Sequence, residues 1–457
     1  MQRSENGEEP HFARLLRRYR ERIGFTQQQL ADFSTVSVRA IRNLEQGRAR
    51  NPRKDTVRLI ADALRLQERD RSRLEQAAGR GGTEEELRVA FETAPAPRLI
   101  PRGEMIGRDA EISALADTLC VRDQRVVTVT GFPKVGKSRL ALAAAERAHA
   151  LHGYPVLWAN RGGTAPSWCV VEPADGMTAL VQRAVDELLV RGHGATGPHR
   201  GITDLSAVVK DHRAVLVLDG LPPNALNAAR VGRLLGDCPG LRLLITSTRP
   251  QGIPVERAFH LEPLVLPTEL DGRSGADLGA VPAVRIFVRH MWALRPDDDI
   301  LDEYAVEIAR ICWLLDGLPG VLEAASTWLS VYDPPALLEL VEQDPFTPLS
   351  PLFGGPEFPS EREALLSMLD DLEPMETEVL RALCSTERAV SVDQLVLMCA
   401  LPLVECGRLV RGLGMRGLIR RGRRSSIPVF TPLNLVRAMC ARQGGTRSFL
   451  YEEVATN

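Results

Sequence analysis

The chain of 457 residues has no apolar run near the ~18 residues of a membrane-spanning helix. A spanning segment is therefore not expected. The first ten residues, MQRSENGEEP, are polar and contain no apolar signal-peptide core, so the expected location is the cytoplasm. The eight cysteines are scattered, with no C-x-x-C pair. This favours free thiols in a reducing compartment over disulfides or a zinc site. Lysine is nearly missing: Lys54, Lys134, Lys137 and Lys210 are the only four, and arginine carries the remaining positive charge. A lysine that survives this bias is informative.

What is present fits ordinary globular protein, with 44% hydrophobic and 25% charged residues. The length suggests two to four domains. Net charge is -2, but residues 1–80 hold 18 Lys+Arg against 11 Asp+Glu, a balance of +7, leaving -9 for the remainder. A basic head on an acidic body points to one part that meets nucleic acid and another that does not. A solvated basic face is the plainer alternative.

Hydrophobic periodicity divides the chain. Phe12, Leu15, Leu16 and Tyr19 lie at helical spacing, as do Leu30, Ala31 and Phe33, then Ile41 and Leu44, then Val57, Ile60, Ala61 and Leu64. Thr26 and Ser37 are placed to cap the second and third of these helices. The segments GRGGTEEE and APAPRLIPRG suggest a linker over 81–104, with a short helix inside it. Beyond it, RVVTVTG, AVLVLDG and LRLLITS read as buried strands between helical stretches, the pattern of a parallel sheet covered by helices. Residues 280–345 read as helical. Residues 360–440 read as a small helical unit that ends in a β-ribbon, LIRRGRRSSIPVFT.

The expected architecture is thus multidomain: an all-α head over 1–80, a linker over 81–104, an α/β P-loop domain over 105–265, a helical domain over 266–350, a small α+β unit over 351–445 and a tail over 446–457. No internal repeat is evident.

In the head, the second and third helices meet at a short turn around Ser34–Val36, which is helix-turn-helix spacing. Ile41 and Leu44 face inward and leave Val38, Arg39, Arg42 and Asn43 outward. Arginine can pair with guanine, asparagine with adenine, and valine can touch a thymine methyl. Gln27, Arg48, Arg50 and Arg53 are placed to hold phosphates. A four-helix protein-binding domain with a charged surface remains the alternative. On FTQQQLA, SVRAIRNLEQG and NPR, over about 65 residues, the segment resembles the Cro and lambda-repressor type of helix-turn-helix domain. That resemblance implies that Gln27, Val38, Arg39 and Asn43 face double-stranded DNA. Thr35 stands where the family usually has glycine.

Residues 131–138, GFPKVGKS, match the P-loop pattern G-x-x-x-x-G-K-[ST], after a strand and at the start of a helix. Gly131, Lys134, Val135, Gly136, Lys137, Ser138 and Arg139 would form the nucleotide cradle. Lys137 would neutralise phosphates and Ser138 would hold Mg²⁺. Asp219 ends the strand AVLVLDG, where an acid can hold Mg²⁺, and Arg249 follows LLITS, where it can reach a γ-phosphate. If hydrolysis occurs, Lys137 and Asp219 would carry it. Gly220 provides no second acid to orient a water, so turnover is expected to be slow at most.

With MIGRDAEI, LVLDG, ITSTR, AVRIFVRH and CWLLDGLPGVLEAA, residues 105–345 resemble the NB-ARC type of STAND nucleotide switch. By that resemblance Ile106, Gly107 and Arg108 line the adenine, Gly317–Pro319 close on the nucleotide, and ATP or ADP with Mg²⁺ is the cofactor. EREALLSMLDDLEPMETEVLRAL and FTPLNLVRAM resemble the winged-helix domain that follows such modules, and Arg420, Arg421, Arg423 and Arg424 make its hairpin basic. Such proteins usually continue into a sensor repeat domain, for which no room is seen before Asn457. The expected function is therefore a DNA-binding regulator switched by ATP against ADP, acting as a homodimer or larger homo-oligomer, with a protein sensor as a further partner. Two alternatives stay open: an oligomerising signalling hub whose head recruits protein, and a repressor whose P-loop domain is a scaffold.

Overall fold

Thr26 and Ser37 act as the sequence suggests. Each sits in extended backbone and accepts from an N–H of the following turn, Gln29 and Ala40 respectively. Gln29 returns a bond to the Thr26 N–H and completes a capping box. The computed structural model describes residues 11–46, 52, 54–66, 70–71, 74, 98–99, 105–120, 124–160, 169–170, 177–189, 200–267, 275–294, 300–349, 365, 368–424 and 426–443. The expected linker over 81–104 lies almost wholly outside them, as do the tail over 446–457 and Arg48, Arg50 and Arg53.

The chain divides into two units, one of residues 1–98, 153–216 and 226–242, the other of residues 99–152, 217–225 and 243–457. In the first, helices α1 (His11–Ile23), α2 (Gln27–Ser34), α3 (Val38–Glu45) and α4 (Lys54–Ala63) enclose a core of Leu16, Leu30, Ile41, Ile60 and Leu64. The α2–α3 turn is made by Thr35 in left-handed backbone, φ 56°. Phe33 departs from the expected stripe. It is 64% exposed and stacks on Phe25, 5.2 Å away between ring centroids. The same unit holds a strand at Val156–Asn160 beside the start of a second at Ala214–Leu221, with Val215 N donating to Pro155 O.

In the second unit, strand β1 (Val126–Thr130) is buried throughout and lies between β2 (Leu241–Ser247) and β3 (Glu256–His260), parallel to both. The strand Ala214–Leu221, which carries Asp219 and Gly220 near its end, flanks β2. Helix α5 (Lys137–His152) follows β1 through the loop 131–136, the strand–loop–helix order that a phosphate cradle needs. A run of helices follows, including α6 (Pro282–Leu294), α7 (Ala305–Leu314) and α8 (Pro319–Thr327), where Pro319 starts the last at a position that needs no N–H. Helices α9 (Pro374–Cys384), α10 (Val392–Cys399) and α11 (Leu403–Met415) lead to the antiparallel hairpin β4 (Ile419–Arg424) and β5 (Ile427–Pro432), then α12 (Asn434–Gln443). A short strand at Val390–Ser391 pairs with β5. Among the described residues, no helix is long and apolar enough to cross a membrane.

Candidate functional site

The head presents α3. Arg39 and Arg42 are exposed, Asn43 is half-buried, and Val38 is half-buried against the head core. What holds α3 in place is a group that periodicity did not single out. Glu45 is 1% exposed and accepts from Arg20 at 2.6 and 3.0 Å and from Gln27 Nε2 at 2.7 Å. Arg20 also donates to the carbonyl of Phe25 at 2.7 Å. Its bond to Glu45 raises its already high pKa, against the opposing effect of burial. The Gln27 amide expected at a phosphate is therefore tied to Glu45. One buried carboxylate joins α1, the start of α2 and the end of α3, which fixes the angle at which α3 stands out.

In the second unit, the loop after β1 turns through three positive-φ residues, Gly131 at 142°, Lys134 at 65° and Gly136 at 101°. Side-chain freedom matters most at Gly131, where a Cβ would come within 2.5 Å of the Leu261 carbonyl. Lys137 Nζ donates back into the loop, to the carbonyls of Gly131 and Phe132, each at 2.9 Å. Packing around the amine pushes its pKa down to about 8, with Asp219 opposing. Asp219 is 4% exposed and accepts from Thr246 Oγ1 at 2.6 Å, and the same hydroxyl accepts from Gly220 N at 2.8 Å. Thr246 thereby aims the acid, a role the sequence pattern did not show.

The fold brings Pro319 and its neighbours to this loop. Gly320 N donates to the Lys134 carbonyl at 2.9 Å, and Arg139 pairs with Glu323 at 2.8 Å. Arg289 joins the same carboxylate at 3.1 Å. Ile106 is buried, Gly107 packs against Pro282, and Arg108 is spent within the fold, donating to Glu111 at 2.8 Å and to the Glu262 carbonyl at 2.6 Å. Ser138 and Arg249 are half-buried.

Three further residues surround the loop. His260 ends β3 opposite Thr130, and burial is the main cause that lowers its pKa. Lys137 lowers it too, while Glu262 and a bond to the Met415 backbone raise it. Arg416 is buried on Glu376 at 2.6 Å. Burial depresses its pKa first and the charge of Arg249 adds to that, against Glu376. Gly417, at φ 74°, lies so close to the loop that a Cβ would stand 2.5 Å from Phe132 N. These residues sit 110 or more positions beyond the loop, so no local pattern marks them.

The donor set suits a nucleotide with a divalent ion: positive-φ backbone at the loop, the N-terminal N–H groups of α5, a lysine, and a hydroxyl and a carboxylate as hard oxygen ligands.

Residues 11–74 match the family model described as a helix-turn-helix domain. The head is a helix-turn-helix domain. An uncharacterized protein of Mycobacterium tuberculosis strain H37Rv is 30% identical over 236 residues, 51% of this chain and 52% of that protein. The same strain has a protein provisionally named an HTH-type transcriptional regulator, 27% identical over 205 residues, 44% of this chain and 20% of that protein. The chain thus spans about half the length of the first of these relatives and a fifth of the second. Among solved structures, a STAND protein with a tetratricopeptide repeat sensor from Pyrococcus horikoshii matches at TM-score 0.28 and 15% identity, covering 77% of this chain and 43% of that one. PCH-2 from C. elegans matches at TM-score 0.31 and 12% identity, covering 50% and 64%. At such scores neither match establishes a shared fold.

Proposed function

We propose that this chain is a DNA-binding transcription regulator whose state is set by ATP or ADP at the P-loop of its second unit. The observation that carries the reading is the convergence on one loop of three segments distant in sequence. Lys137 and Asp219 form its charged centre, Gly320 N binds the Lys134 carbonyl, and Gly417 packs on Phe132. A ligand shifts a two-state protein only by binding one state better. A loop touched by both the α8 start and the segment before β4 offers such differential contact. Residues 351–445, which hold α9, α10 and α11, the β4–β5 hairpin and α12, are read as a winged-helix domain that closes this site.

Ser138 and Asp219 are the residues to hold Mg²⁺, and Lys137 to meet the β- and γ-phosphates. The ion would supply charge neutralisation. Thr246 holds the acid in place, and Gly220 supplies no carboxylate beside it, so the reading favours a switch with slow turnover or none. In the head, Arg39 and Arg42 are the exposed side chains of α3 suited to base edges, and a dimer would give two such helices the reach for specificity.

The reading is tested by nucleotide binding to the purified chain and to Lys137→Ala. Binding of ATP and ADP that is lost in the variant, with the head still folded, supports it. Equal affinity in both proteins contradicts the P-loop assignment.

A further inference from the structure

Between Glu405 and Glu452 the sequence has ten arginines, no lysine and no acid, whereas residues 351–405 hold eleven acids against three arginines. The charge therefore reverses at the start of α11. Five of the ten arginines are used within the fold: Arg408 on Glu405, Arg416 on Glu376, Arg420 on Asp316, Arg437 on the Cys384 carbonyl and Arg442 on Asp344. Arg421, Arg423 and Arg424 are different. All three are exposed on β4, and among the described residues their side chains have no hydrogen bond or ion pair. Their cross-strand neighbours on β5 are Phe430, Pro428 and Ile427, so no acid faces them.

Three exposed guanidinium groups within four residues of one ribbon, without an acidic partner among the described residues, make a basic edge suited to a polyanion. A guanidinium fork matches phosphate oxygens bidentately. A β-ribbon advances ~3.3 Å per residue, so Arg421 to Arg424 spans roughly 10 Å, a length over which duplex DNA presents about six phosphates. The start of α11 carries Leu403 and Val404 at 57% and 85% exposure. Such apolar side chains supply no hydrogen-bond donors for base edges, so the start of α11 adds no hydrogen-bonded base readout beside the hairpin.

We infer that the β4–β5 hairpin is a second DNA contact, sequence-independent, in which Arg421, Arg423 and Arg424 bind phosphates. It rests on the reading of the chain as a DNA binder. Base preference belongs to the head, and the hairpin adds affinity that salt removes.

The test measures affinity of the full chain for a random-sequence duplex and for its own promoter duplex across a salt series. Each phosphate contact contributes about 0.9 to the slope of log K against log salt. The variant R421A/R423A/R424A is expected to lose about 2.7 from that slope, which makes the affinity loss between 50 and 200 mM salt roughly 40-fold smaller. Its ratio of promoter to random affinity stays unchanged. R421K/R423K/R424K, which keeps the charge, retains the slope and controls for folding. An unchanged slope in the alanine variant overturns the inference. Absence of promoter preference in the wild-type chain would sink the regulator reading alone, since the slope on random duplex still judges the hairpin. Failure of the wild-type chain to bind either duplex overturns both.

Discussion

Asp316 accepts hydrogen bonds from the backbone N–H groups of Asn434 and Leu435, at 3.0 and 2.9 Å, across more than a hundred residues of sequence. It caps α12 from a distance and also faces Arg420, whose nearest guanidinium nitrogen is 3.7 Å from its carboxylate. Asp316 is 3% exposed. Burial pushes its carboxyl up to about 6, with Arg420 the first of the groups that pull it down. This one side chain ties the helical segment before α8 to the hairpin and last helix.

Removing that carboxylate leaves two N–H groups without their acceptor and takes the opposite charge from Arg420, which keeps its hydrogen bond to the main-chain carbonyl at position 316. Asp316→Ala is expected to destabilise the second unit by about 3–5 kcal/mol, seen as a lower denaturant midpoint. The pH dependence has a definite sign. A carboxyl whose folded pKa exceeds its unfolded value of ~3.9 contributes stability that is complete below that value and is lost as pH rises through about 6. The stability of the wild-type chain relative to Asp316→Asn should therefore fall between about pH 4 and 6, by at most about 3 kcal/mol, and level off above. A difference that rises with pH over this range would refute the assignment.

Glu45 has the same logic in the head. Glu45→Ala takes from Arg20 its buried carboxylate, leaving it the Phe25 carbonyl, frees Gln27, and should cost about 3 kcal/mol. The full chain, followed by near-ultraviolet signals and by DNA binding, gives the readout. A variant as stable as wild type would mean that the buried pair does not set α3.

Arg39→Ala should relax base preference, costing about 1–3 kcal/mol at a single base pair if its contact is bidentate. Competition assays against single-substitution operators check this. Equal loss on every sequence would mark Arg39 as a phosphate contact instead.

Gly417→Ala forces a Cβ toward Phe132 N and places a side chain at φ 74°. Left-handed backbone alone costs about 1–2 kcal/mol for a non-glycine residue. Nucleotide exchange, measured by displacement of a fluorescent analogue, should speed up because the segment before β4 no longer seats on the loop. An unaltered exchange rate would separate Gly417 from the site.

Much of this was legible in the sequence. LRLLITS is a strand from its first residue to its last because an apolar, β-branched run can be buried on both faces. GFPKVGKS turns as its glycines require. The caps Thr26 and Ser37 mark their helices directly. ERAFH did not read as a strand because it lies at the sheet edge, half-buried to exposed, and has no apolar alternation to betray it. Phe33 matches a helical stripe yet points outward, where it stacks on Phe25 at the edge of the head core. Glu45, Thr246 and Asp316 are invisible to local patterns, because each is defined by partners 18 or more residues away. The basic hairpin is plain in RRGRR at 420–424, although the net balance of -9 beyond residue 80 averages an acid-rich stretch with the arginine block that follows it.

Nucleotide at the P-loop is proposed to change DNA binding by the head. The most direct measurement is affinity of the purified full chain for its own promoter duplex, at fixed salt, without nucleotide, with ADP, and with a non-hydrolysable ATP analogue. The account predicts an affinity that differs between ADP and the ATP analogue, and a difference that disappears in Lys137→Ala. Tight, specific binding that is the same in all three conditions would contradict it and leave the P-loop domain as a scaffold.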